Sequence, residues 1–299
     1  MIGALSASPL PLGRRVELPG RGTTFVREVA GPPGAPTIVL LHGWIASGGI
    51  NWFQAFETLG QHFRVIAPDL RGHGRGIRSR RRFRLADCAD DTAMLMDELG
   101  IESAIVAGYS MGGPVAQLLW KRHRSKVDGL VLCSTSHSFV IGMRERVIFT
   151  SIMAAAAGTT RAGQAATVLP RSIVKQFVPV VARPRADTMR EFARAEMRRH
   201  DWRLVLEAGG AIGRYNASGW IGEVDVPTAV LITTKDRAIE PGQQAKLAFA
   251  IPGASIHRVE DGHIACANPG YAAPLLRACF DVAVKAHPGF VPHRRRADR

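Results

Sequence analysis

An α/β domain is the fold class that this 299-residue sequence predicts: a mostly parallel central sheet flanked by helices, with a helical cap inserted between two strands. Three observations carry that expectation. Short uncharged runs rich in Val, Ile and Leu recur from Thr37 onward, without polar alternation, as in strands buried on both faces. Longer stretches with apolar residues at helical spacing separate them. Between residues 139 and 220 the alternation stops, and a helix-rich block punctuated by Pro170, Pro179 and Pro184 takes its place.

The elements follow in order. Thr37–Leu41 is the first strand, leading into a Gly-rich turn from His42 to Gly49. Arg64–Ala67 is the second and stops at Pro68-Asp69. Leu85, Cys88, Ala89, Thr92, Leu95, Met96 and Leu99 predict a helix over 85–99. Ala104–Ala107 is a strand entering Gly108, Pro114–His123 reads as a helix, and Val127–Cys133, Thr228–Thr233 and Ser255–Val259 complete the sheet before a final helix from Pro269. Inside the block, Met153–Ala157 and Met189–Leu206 read as helical. The expected division is a core of residues 1–138 and 221–287, a cap or lid at 139–220, and a disordered basic tail at 288–299.

Apolar residues make up 46% and charged residues 21% of the chain, which excludes disordered, collagen-like and disulfide-scaffold classes. No run approaches the roughly 18 uncharged apolar residues of a membrane helix, and the first residues lack a basic, then apolar, export pattern. A cytoplasmic protein is the expectation. Lys and Arg number 39 against 25 Asp and Glu, a net charge of +14. Six arginines fall between Arg75 and Arg84 with no acid among them, and Arg294, Arg295, Arg296 and Arg299 crowd the tail. With only Phe83 interleaved and no binding motif, these read as solvated surface, and no nucleic-acid partner is expected. Weak association with an anionic membrane surface is the alternative use of that charge. Cys88, Cys133, Cys266 and Cys279 show no paired or zinc-type spacing, so free buried thiols are expected, with neither a metal nor a cofactor.

Right-handed crossovers put every strand-to-helix loop of a parallel sheet at one edge, so the chemistry should sit just after strands. Gly108-Tyr109-Ser110-Met111-Gly112 lies there, between a strand and a helix, and fits G-x-S-x-G. So tight a turn needs almost no side chain two residues before and after the serine. It strains Ser110 and aims the helix N-terminus, with the Met111 N–H, at developing negative charge. A hydroxyl becomes nucleophilic only when a base takes its proton and a third group orients that base. His263, beyond the last strand, is the expected base. His42 and His73 sit in other turns and read as structural. Asp236, directly after Thr228–Thr233, is the expected orienting acid, with Asp261 the alternative.

The order Ser110, Asp236, His263 resembles the α/β-hydrolase superfamily over roughly Val26 to Val284. The resemblance rests on His42-Gly43-Trp44, the Asp69-to-Gly74 turn, the serine elbow, and the Asp and His loops. It is nearest to bacterial esterase/lipase-type members. It implies that the Trp44 amide is the second oxyanion donor beside Met111, and that the inserted block is a helical cap. The expected activity is hydrolysis of a small-molecule carboxylic ester, or a thioester, through an acyl-enzyme. Ile148, Phe149, Ile152, Met153, Phe177, Val178, Val180 and Val181 are candidates to line its acyl pocket. A cofactor-free haloperoxidase or perhydrolase and a C–C bond hydrolase use the same triad and are the alternatives. A ligand receptor with an idle triad is the non-enzymatic one. Dehalogenases and epoxide hydrolases need a carboxylate where Ser110 stands. Oligomeric state is not set by the sequence.

Overall fold

Strands with no polar face must be covered on both sides, and that requirement organises the molecule. The computed structural model describes residues 10–139 and 189–291, together with positions 151, 153, 155, 157 and 158. The strands are β1 (Gly13–Leu18), β2 (Gly22–Val29), β3 (Thr37–Leu41), β4 (Arg64–Pro68), β5 (Ala104–Tyr109), β6 (Val127–Cys133), β7 (Thr228–Thr233) and β8 (Ser255–Val259). They form one eight-stranded sheet in the order β1-β2-β4-β3-β5-β6-β7-β8. Neighbours from β4 through β8 pair in parallel, and β1 and β2 join antiparallel at one side.

That antiparallel pair lies outside the strands expected from the sequence, for a physical reason. Val16 and Leu18 are buried while Glu17 between them is exposed, so β1 alternates and contains no continuous apolar run. Its turn uses Gly20 at φ +69° and Gly22 at φ +115°, which only glycine adopts without strain.

The helices are α1 (Gly48–Trp52), α2 (Phe56–Gly60), α3 (Leu85–Glu98), α4 (Gly112–Arg122), α5 (Met189–Arg198), α6 (Trp202–Arg214), α7 (Pro241–Ala250) and α8 (Ala272–Ala286). Successive β3 side chains point to opposite faces. Ile38 and Leu40 pack with Trp52, Phe56 and Leu59 of α1 and α2 and with Leu275, Cys279 and Val282 of α8. Val39 and Leu41 pack with Leu95, Val115, Leu204 and Leu247 from α3, α4, α6 and α7. Each fully buried large aliphatic or aromatic side chain contributes about 1.5–3 kcal/mol, so these two layers supply the main favourable term that offsets the entropy of ordering the sheet. Among the described residues no helix is long and apolar enough to cross a membrane.

Within the inserted block the expected helix over 189–206 is two helices. Asp201 breaks it: its N–H donates to the Gly72 carbonyl at 2.8 Å and its carboxylate accepts from the Leu204 N–H at 3.3 Å, capping α6. Positions 153, 155 and 157 are helical. Most of the remaining block, including Ile148, Phe149, Ile152, Phe177, Val178, Val180 and Val181, lies outside the described residues. So do residues 292–299 of the expected tail. The tail's first residues differ from the expectation of disorder, because the Phe290 ring stacks on Phe63 at 5.4 Å and closes a cluster with Phe280. Arg80, Arg81 and Arg82 are exposed as expected, but Arg75 and Arg78 are structural ties. Arg78 donates to the Gly72 and Gly74 carbonyls at 3.0 and 2.7 Å, and Arg75 pairs with buried Glu196 of α5 at 3.2 Å.

Candidate active site

The register aligns the carboxyl ends of the central strands: Leu41 lies beside Gly108, Tyr109 beside Cys133, and Thr233 beside Val259. Loops leaving these positions emerge together. The turn after β5 is as tight as its sequence requires. Ser110 has φ +49°, the left-handed region that costs a side chain strain. A Cβ on Gly108 would lie 2.3 Å from the Gly112 carbonyl oxygen, and one on Gly112 would lie 2.1 Å from that of Leu41. Neither position admits alanine without moving backbone. The chain enters α4 at Gly112, two residues before the predicted start at Pro114, because the strained serine turns it directly into the helix.

The structure brings the three predicted side chains together. The Ser110 hydroxyl is 3.0 Å from His263 Nε2, and His263 Nδ1 is 2.8 Å from Asp236 Oδ2. An ionised carboxylate only accepts, so Nδ1 carries the proton and Nε2 presents its lone pair to the serine. Asp236 is buried in a dense set of donors. Its Oδ1 accepts from the Ala238 and Ile239 N–H groups at 2.8 and 2.9 Å. Its Oδ2 accepts from Thr233 Oγ1 at 2.9 Å and Gln244 Nε2 at 3.2 Å besides His263. Burial by itself raises this carboxyl's pKa. The hydrogen bonds from His263 and the Ile239 amide outweigh it and hold the group below the ordinary carboxylate value. Asp261, the alternative acid, faces elsewhere: it accepts from the Gly262 N–H at 2.7 Å and from the Asn268 side chain.

Trp44 and Met111, the predicted oxyanion donors, sit on peptide units whose orientation is pinned from the opposite end. In a trans peptide the C=O and the following N–H point in opposite directions. The Ser110 carbonyl accepts from Thr135 Oγ1 at 2.8 Å and from the Gly113 N–H at 2.9 Å, so the Met111 N–H faces the other way. The Gly43 carbonyl accepts from His42 Nδ1 at 2.8 Å, which sets the Trp44 N–H in the same manner. His42 Nε2 in turn accepts from the Leu70 N–H at 2.8 Å, and burial lowers this imidazole's pKa to about 3. A neutral ring is what both bonds require. A Cβ on Gly43 would lie 3.4 Å from Ser110 Cβ, which places this turn against the serine.

Sequence reasoning passed over several supporting residues. Thr135 was visible only as one of three hydroxyl residues after β6. The Tyr109 hydroxyl donates to the His263 carbonyl at 2.7 Å and tethers the histidine loop to the elbow. The Gln244 amide holds the Asp236 side of the site, accepting from the Thr233 N–H at 3.0 Å and donating to the Ile239 carbonyl at 2.7 Å. None of these carries a local motif. Trp44 adds a link to the inserted block, its indole N–H donating to the Val205 carbonyl of α6 at 2.7 Å. The four cysteines are free and buried, as expected. Among the described residues no group of three His, Cys, Asp or Glu side chains gathers to hold a metal ion.

Residues 36–268 match the family model described as alpha/beta hydrolase fold. The AB hydrolase superfamily protein YisY of Bacillus subtilis (strain 168) is 34% identical over 126 residues, 42% of this chain and 46% of that protein. A pimeloyl-acyl-carrier-protein methyl ester esterase of Nitrosospira multiformis is 36% identical over 107 residues, 35% of this chain and 40% of the esterase. These matches span less than half the length of the curated relatives. Among solved structures, the enol-lactonase from Burkholderia xenovorans LB400 superposes with a TM-score of 0.66 at 26% identity, covering 89% of this chain and 99% of that one. With most of its length matched to the family model and its sheet ordered as described, the chain belongs to the alpha/beta hydrolase fold family.

Proposed function

We propose that the protein is a serine hydrolase that cleaves carboxylic esters of small molecules through an acyl-enzyme. One observation carries the reading: Ser110 Oγ, the His263 ring and Asp236 form a continuous hydrogen-bonded chain beside a strained elbow. His263 takes the Ser110 proton as the oxygen attacks the acyl carbonyl, and Asp236 stabilises the imidazolium that results. The Met111 and Trp44 amides receive the oxyanion, and losing one such donor costs about 10²–10³ in rate. His263 then protonates the leaving alkoxide. A water deprotonated by the same ring releases the acid and restores the serine. The methyl ester esterase and enol-lactonase among the similar proteins support an ester carbonyl as the reacting group.

The block between β6 and β7, with α5 and α6, is the cap in this reading, and the Trp44–Val205 hydrogen bond joins it to the oxyanion turn. The test is labelling by a fluorophosphonate together with hydrolysis of a p-nitrophenyl ester series. Wild type should label and turn over. Ser110→Ala should do neither while keeping its circular dichroism spectrum. Wild-type turnover in Ser110→Ala overturns the assignment. Bromination of monochlorodimedone with peroxide separates the haloperoxidase alternative.

A further inference from the structure

We propose a second site on this molecule: the arginine-lined cleft between β1, the loop after β4 and the end of α5 binds a phosphate-bearing ligand, a phosphomonoester or pyrophosphate group. The cleft has a volume of about 790 Å³ and is lined by Arg15, Thr23, Phe25, Arg75, Arg78 and Arg199 with Gly74 and Gly76. None of the residues placed at the candidate active site is among them.

Four guanidiniums from three separate elements converge there, and the structure holds most of them in place. Arg75 lies over the Phe25 ring at 4.4 Å and pairs with Glu196 at 3.2 Å. Arg199 pairs with the same Glu196 oxygen at 2.5 Å. Arg78 is tied to the Gly72, Gly74 and Arg199 carbonyls, bonds that fix its plane. Arg15 projects from the exposed side of β1 opposite Phe25. Buried Glu196 pairs with two of the four cations, Arg75 and Arg199, the Asp69 and Asp201 carboxylates act on Arg78 through space, and Glu17, two positions along β1, is the acid at the rim. Solvated arginines on a protein surface are mobile. Arg75, Arg78 and Arg199 are stacked, bonded to backbone or paired to a buried acid, so less side-chain freedom is lost when they receive an anion.

The ligand class follows from that geometry. A single carboxylate matches one planar fork, whereas a tetrahedral phosphate presents three oxygens to donors arriving from different directions. The volume falls in the range of small-molecule sites, about 300–1,000 Å³, so an organic phosphate fits better than the bare ion. An anion there would bridge Arg15 of the sheet to Arg199, the residue after α5, and hold the end of that helix against the core.

The experiment uses the full chain and inorganic pyrophosphate, titrated calorimetrically and by thermal unfolding, with sodium chloride at matched ionic strength as reference. Saturable binding and a rise in Tm beyond the chloride control are expected. Arg15→Gln should weaken binding about tenfold, since a hydrogen bond to a charged group is worth about 1.5–3 kcal/mol, and Arg15→Gln/Arg199→Gln should weaken it further. Arg124→Gln, at a surface ion pair with Glu223, should bind as wild type. Pyrophosphate acting no differently from chloride overturns the proposal, as does undiminished binding in both variants. Flotation with phosphatidylglycerol vesicles then assigns the source. Arg15-dependent flotation means a lipid headgroup, and its absence beside pyrophosphate binding means a soluble phosphate ester. Binding is read without turnover, so failure of the esterase reading leaves this test intact.

Discussion

Asp236→Asn is the substitution whose outcome the structure specifies most fully. The new amide has two orientations, and each is opposed. With its oxygen toward the Ala238 and Ile239 N–H groups, its NH₂ takes the place of Oδ2 and faces His263 Nδ1. The ring must then carry its proton on Nε2, where it cannot accept the Ser110 proton. That NH₂ also meets Gln244 Nε2, which cannot turn away because Gln244 is committed to the Thr233 N–H and the Ile239 carbonyl. With the amide reversed, two backbone N–H groups lose their acceptor, at about 1–3 kcal/mol each. The productive tautomer is therefore disfavoured by several kcal/mol, and the charge that stabilises the imidazolium is gone in both states. Together these predict a loss in kcat of about 10³–10⁴, in line with the effect of this change in other triads. Stability should fall by about 1–3 kcal/mol from the opposed donors. The assay is kcat and KM on p-nitrophenyl butyrate, with urea unfolding to correct for the folded fraction. Activity within tenfold of wild type, or a larger loss in Asp261→Asn, refutes the reasoning.

Three further outcomes follow from the same contacts. Gly112→Ala puts a Cβ 2.1 Å from the Leu41 carbonyl oxygen, so it should unfold at markedly lower urea concentration than Gly270→Ala, where a Cβ meets nothing within 4 Å. Thr135→Val removes one of the two donors on the Ser110 carbonyl. It should lower kcat about tenfold with KM unchanged, a split that mere loosening of the pocket would not produce. Burial raises the Asp69 carboxyl from 3.8 to about 6 despite its hydrogen bonds from the Arg75 and Gly48 amides. The folded state therefore binds this proton more tightly than the unfolded chain does. Its contribution is complete below about pH 4 and is lost as pH rises through 6. Stability relative to Asp69→Asn should drop by about 3 kcal/mol between pH 4 and 7.5, and parallel curves for the two proteins would refute it.

Most of the core was legible from residue order. The β3, β5, β6 and β7 runs are continuous apolar segments because both their faces are covered, and continuity is a local property. The elbow was legible for a related reason: Gly108 and Gly112 are demanded by contacts within five residues of chain. His263 and Asp236 could be expected because each follows a strand, and strand ends share one edge. What escaped was contact between distant segments with no pattern of its own. β1 alternates, so it offers no apolar run. Arg75 and Arg78 read as surface alone until α5 and the turn after it were laid beside them.

The sequence by itself determined the parallel sheet, the serine turn and the order of the three polar residues, since these depend on periodicity and on the steric demands of near neighbours. Only the tertiary structure decided that Asp236 rather than Asp261 meets the imidazole. It alone revealed that Thr135 and His42 orient the two amides, and that four arginines close on one cleft. Those outcomes depend on which loops lie side by side, and a hydrogen bond, unlike an apolar stripe, leaves no repeat in the chain that makes it.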